Sequence, residues 1–127
     1  MDILPLSSEG QFTILSYHLG GFVIRDNTGH RRDWHGSLLI KPDGVSPILA
    51  KNIAELNDAE VAPLLPLQLE LLLIGTGARM ILPSKTERDR WQRLVPSVEW
   101  MTSGAAARTY QMATAEQRRV AGLIIAL

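Results

Sequence analysis

The chain contains no cysteine. That absence removes disulfides, thiolate nucleophiles, cysteine-based zinc sites and iron–sulfur ligation, and nothing points to an oxidising compartment. A cytoplasmic location is the expectation. An excess of charge of either sign is also missing. Thirteen Lys and Arg balance thirteen Asp and Glu, so no overall field recruits nucleic acid or an anionic membrane. No nucleic-acid partner is expected. No apolar run reaches the ~18 residues that a spanning helix needs, so no transmembrane segment is expected. The start, Met1-Asp2-Ile3-Leu4-Pro5, lacks the basic opening and apolar core of a secretory signal and the Arg/Ser-rich character of a transit peptide.

Motifs for the common chemistries are missing too. The three histidines, His18, His30 and His35, show neither the i, i+4 spacing of a helical metal site nor the i, i+2 spacing of a strand site, so no metal and no cofactor is expected. No serine lies in a Gly-x-Ser-x-Gly elbow. The general-base candidates Asp33, His35 and Glu99 carry no mark that separates them from surface residues. Nothing in the pattern identifies an enzyme.

What is present is an ordinary globular balance, 46% hydrophobic and 20% charged over 127 residues, enough for one domain spanning 1–127. The organising stretch is Leu69-Glu70-Leu71-Leu72-Leu73-Ile74, an apolar run stopped by Gly75-Thr76-Gly77. It reads as a buried central strand ending in a turn. Ahead of it, Phe12–Leu19 and Phe22–Asp26 flank Gly20-Gly21 as a hairpin, and Ser37–Ile40 and Val45–Ala50 add strands to an antiparallel meander. His30-Arg31-Arg32-Asp33-Trp34-His35 mixes basic and aromatic residues. Its shortness and Asp33 make it a surface hairpin segment with a buried tryptophan. Asn57 caps a short helix limited by Pro63 and Pro66.

Beyond the turn, Arg79–Leu82 reads as a short extended piece and Ser84-Lys85-Thr86-Glu87 as a capping box. The helix that follows carries Trp91, Leu94 and Val95 on one side and an Asp89–Arg93 surface pair. Val98–Met101 is a strand, and Thr102 or Ser103 caps a helix through Met112. The tail from Val120 fits both a helix, at i, i+3, i+4, i+7, and a buried strand. Gly122, the paired isoleucines and the preceding strand–helix rhythm select the strand. The result is an α/β fold: a mostly parallel sheet covered by helices, with the meander packed alongside.

Ligands in such sheets bind beyond the carboxyl ends of the strands. Gly75, Thr76 and Gly77 stand at one such end, Thr102 and Ser103 at its neighbour, and Arg108 one turn further offers positive charge for a small anion. Each of these residues also fits a purely structural role. A dinucleotide loop needs glycine where Met80 stands and a P-loop needs Gly-Lys-Ser/Thr, so the glycines also serve as a structural turn. Thr102 and Ser103 also serve as plain caps. Arg108 also serves as a solvated arginine, or one paired with Glu116 or Glu99.

The combination of Leu71–Gly77, Pro83, Val98-Glu99-Trp100-Met101-Thr102, Ala105-Ala106-Ala107-Arg108-Thr109-Tyr110 and the later Glu116, Arg118 or Arg119, and Val120 resembles a family of unknown function. That family includes the mitochondrial complex I assembly factor 3 proteins and uncharacterised bacterial and archaeal members. The resemblance implies a three-layer α/β fold with a central mixed sheet in which one strand opposes the rest. It also implies an assembly or binding role with a protein partner, linked to respiratory complexes, rather than catalysis. Gln111 stands where the family usually has asparagine.

Overall fold

The computed structural model describes residues 10–127. The Met1–Pro5 segment read above for targeting signals lies outside the described residues. Three strands, β1 (Thr13–His18), β2 (Gly21–Arg25) and β3 (Arg31–His35), form an antiparallel sheet in that order. The β1–β2 turn requires its glycines. Gly20 has φ +92°, and a Cβ on Gly21 would fall 1.9 Å from the Trp34 carbonyl oxygen, a space that no side chain can enter.

The central sheet has five strands in the order β5–β4–β8–β6–β7. They are β4 (Leu38–Lys41), β5 (Gly44–Pro47), β6 (Leu71–Gly75), β7 (Val98–Met101) and β8 (Val120–Ile124). β8 and β7 pair parallel to β6, whereas β4 runs antiparallel to both β8 and β5. Only β4 therefore opposes the common direction. The two segments expected to extend the meander join this sheet instead. Leu38, Leu39 and Ile40 are each 2% exposed or less, and a strand apolar on both faces is stable only where both faces are covered.

The tail is a strand for the same reason. All five residues of β8 are buried, so its sequence shows no alternation and periodicity alone misleads. A Cβ on Gly122 would lie 3.3 Å from Ile40 Cγ2 on the neighbouring strand. The glycine is where β4 and β8 pack tightly.

Alternate residues of β6 serve opposite faces. Leu72 and Ile74 join a core with Trp91 and Val95, while Leu71 and Leu73 join one with Ala106, Ala107 and Tyr110. The first face is covered by α1 (Asp58–Val61), a 3-10 segment over Ala62–Leu67 that contains Pro63 and Pro66, and α2 (Lys85–Leu94). Asn57 and Ser84 cap these helices as expected, accepting from Glu60 N and Glu87 N. The surface pairing on α2 differs from expectation: Asp89 accepts from Lys85 at 2.8 Å, and Arg90 reaches Asp58 of α1.

The other face is covered by α3 (Ser103–Ala115) and the three-stranded sheet, which completes three layers. Tyr110 is fully buried and donates to the Phe12 carbonyl at 3.1 Å. Each large side chain so buried contributes about 1.5–3 kcal/mol. Among the described residues no helix is long and apolar enough to cross a membrane.

Candidate functional site

Gly75-Thr76-Gly77 and the start of α3 meet as the sequence suggests, and they are laced together. The Ser103 amide donates to the Gly77 carbonyl at 2.9 Å, and the Gly77 amide donates to Ser103 Oγ at 2.8 Å. The Ser103 hydroxyl donates in turn to the Ile125 carbonyl at 2.5 Å. Thr76 Oγ1 donates to the Arg79 carbonyl at 2.6 Å and accepts from the Ile81 amide at 3.1 Å. Thr102 caps α3 by accepting from the Ala105 amide. These bonds use inside the protein the polar groups that an anion would otherwise meet.

Gly75 is a point of close approach, since a Cβ there would lie 2.8 Å from Ile124 Cγ2 and 3.0 Å from Ser103 Cα. Gly77 has φ +100°, the left-handed region that glycine tolerates best. Arg79–Leu82 is no strand. The Thr76 hydroxyl folds the segment back on itself and leaves Met80, Ile81 and Leu82 exposed.

Arg108 does not point to that turn. Its Nη1 donates to the Tyr17 hydroxyl at 2.9 Å, and its guanidinium carbon stands 5.9 Å from the centre of the Tyr17 ring. Among the described residues it has no carboxylate partner, so neither Glu116 nor Glu99 serves it.

Tyr17 reaches α3 because of a bulge. The β1–β2 register shifts between Ile14 and Ser16, so Leu15 is an extra residue and the in–out alternation slips by one. Ile14 and Tyr17 then share the face toward α3: Ile14 enters the core with Ala107, and Tyr17 packs on Gly104. Between the two elements lies a groove of about 290 Å³, lined by residues 14–17 of β1 and by Ala107, Arg108 and Gln111 of α3. Sequence reasoning missed Tyr17. The only local hint is Gly104, a glycine in the first turn of a helix.

Among the described residues, the remaining ionisable groups form no catalytic pair. Asp33, His35 and Glu99 are all exposed. His18 and His35 meet edge to face, ring centres 6.4 Å apart. Among the described residues no cluster of acids and histidines could hold a metal ion. The basic–aromatic segment is β3. Its Trp34 is half-buried rather than buried, with the indole N–H donating to the Ser37 carbonyl at 3.3 Å.

Asp26 is the exception among the described carboxylates, 1% exposed. It accepts from the Thr28 hydroxyl and amide, the His30 amide and Arg32 Nε, all within 3.0 Å. These donors, the Thr28 hydroxyl foremost, hold its carboxyl far below the usual range against the opposing effect of burial. The cluster closes the β2–β3 turn.

The layers and topology define a three-layer α/β fold with a groove on one face. The chain belongs to the DUF498/DUF598 family, proteins of unknown function, whose model matches residues 14–125. No match to a curated protein is found. Solved structures agree on the fold. A protein from Bordetella parapertussis is 27% identical with a TM-score of 0.74, covering 93% of this chain and 98% of that one. An outer membrane protein from Bartonella henselae is 31% identical with a TM-score of 0.75, covering 92% and 96%. A Mth938-like domain from Bordetella pertussis, 22% identical with a TM-score of 0.69 over 99% and 91%, shares the fold.

Proposed function

We propose that this chain is a non-catalytic binding module of the assembly-factor kind, working in the cytoplasm on a protein partner and linked to respiratory complex assembly. The observation that carries the binding role is Arg108: an exposed cation on the wall of a groove, set against Tyr17 and, among the described residues, without a carboxylate of its own. A partner carboxylate is the group that such a guanidinium binds most strongly. The link to respiratory complexes draws on the resemblance in motifs alone.

A second reading is a small anionic ligand reached by Gly75, Thr76, Gly77, Thr102, Ser103 and Arg108. The charge of Arg108 favours it. Against it stand the internal bonds that occupy Thr76, Gly77 and Ser103, and the turn of Arg108 toward β1.

The test is affinity capture from native lysate with the wild-type chain and with Arg108→Gln. A partner held by the wild type and lost by the variant supports the module. Recovery of the chain alone, or equal capture by both, overturns it. A thermal-shift screen of anionic metabolites addresses the second reading, which requires stabilisation that disappears with Arg108→Gln.

A further inference from the structure

We infer that the groove between β1 and α3 takes an extended acidic peptide segment, which adds to β1 as a strand and sets a carboxylate on Arg108. This rests on the binding-module reading and names the chemistry of the partner.

Three observations carry it. The first is topological: β1 is the edge of its sheet and pairs with β2 alone among the described residues. An edge strand presents a row of backbone N–H and C=O groups to whatever lies beside it. Past the Leu15 bulge that edge continues through Ser16, Tyr17 and His18, alternate residues of which turn their N–H and C=O away from β2.

The second is the opposite wall. α3 supplies Ala107, Arg108 and Gln111 to the same groove. A cleft between an edge strand and a helix holds extended peptides by main-chain bonds on one side and side-chain contacts on the other.

The third is charge. Among the described residues Arg108 is the one ionised group lining the groove, and no acid lines it. With Nη1 given to a neutral phenol, the guanidinium keeps other donors for an incoming carboxylate. The groove wants an anion, and its partly apolar lining of Ile14, Leu15 and Ala107 wants a chain attached to it. A free phosphate would use the cation and leave the strand edge and apolar lining unused. A polynucleotide would meet a single positive charge.

The experiment is selection of a degenerate library of eight-residue peptides on the intact chain. Amide hydrogen exchange and NMR shifts are then measured with an enriched peptide. The expected peptides carry Asp or Glu at one fixed position among β-forming residues. Binding slows exchange at β1 amides past the bulge and shifts Ala107 to Gln111. Arg108→Gln weakens binding at least tenfold, and so does changing the peptide acid to its amide; together they cost no more than either alone, because both remove one contact.

No enrichment, enrichment without an acid, or shifts on another face overturns the inference. Binding of acetate or inorganic phosphate as tight as the peptide, with no β1 protection, also overturns it and makes the groove a small-anion site. The binding-module reading fails separately, when the lysate capture above recovers no partner that depends on Arg108.

Discussion

The Ser103 hydroxyl donates to the Ile125 carbonyl across 2.5 Å while accepting the Gly77 amide at 2.8 Å, so one buried side chain joins the start of α3, the end of β8 and the turn after β6. Removing it leaves a buried donor and a buried acceptor unmet. Ser103→Ala should cost about 1–3 kcal/mol, the penalty of an unsatisfied buried group rather than of one average hydrogen bond. Urea unfolding checks this through a lower midpoint at unchanged slope. A midpoint equal to wild type would mean that water replaces the hydroxyl.

The two glycines beside Ser103 should fail for different reasons. Gly75→Ala drives a methyl to 2.8 Å from Ile124 Cγ2 and 3.0 Å from Ser103 Cα, and one of those contacts is backbone. Overpacking of this kind costs about 1–3 kcal/mol. Gly77→Ala meets nothing within 4 Å, but φ of +100° disfavours any side chain by roughly 1–2 kcal/mol. Calorimetric melting of both variants should therefore rank Gly75→Ala as no more stable than Gly77→Ala, and Gly77→Asn should recover part of the loss because asparagine tolerates the left-handed region.

Much of this fold was legible because the signals were local. Ser84, Thr102 and Asn57 cap helices through side chains that bond amides three residues on, chemistry that the sequence states directly. Sheet membership was not. Leu38–Ile40 is a strand by composition, yet whether it extends the meander or enters the central sheet depends on what covers its second face. The candidate site divided in the same way. Gly75–Gly77 and Thr102–Ser103 came together as neighbouring strand ends, whereas Arg108 found Tyr17, 91 residues away, through a bulge that no residue type announces.

Asp26 makes stability depend on pH in a calculable direction. Its folded carboxyl titrates well below the ordinary 3.8 because the Thr28 hydroxyl, the His30 and Thr28 amides and Arg32 bond its charged form. A depressed folded value means that the unfolded chain binds the proton more readily. The contribution is thus fully present above the unfolded value, near pH 4, and is lost as pH falls from there toward the folded value. Asp26→Asn should melt lower than wild type at pH 7, and the gap between them should narrow below pH 4. Parallel melting curves across that range would show that the carboxylate charge does not matter.

Gly104 separates stability from binding. It lies in the first turn of α3, where alanine is favoured over glycine by up to ~1 kcal/mol. A Cβ there would fall 2.7 Å from the Tyr17 hydroxyl and 2.8 Å from its Cζ. The obstacle is the outer end of a side chain that is 38% exposed, so Tyr17 can swing away. Gly104→Ala should therefore melt at or slightly above the wild-type temperature while Tyr17 leaves Arg108 and the groove loses that wall. The checks are the Tyr17 ring resonances, which should move, and partner capture, which should fall as it does with Arg108→Gln. A variant that keeps full capture with Tyr17 displaced would show that Arg108 acts without its aromatic support.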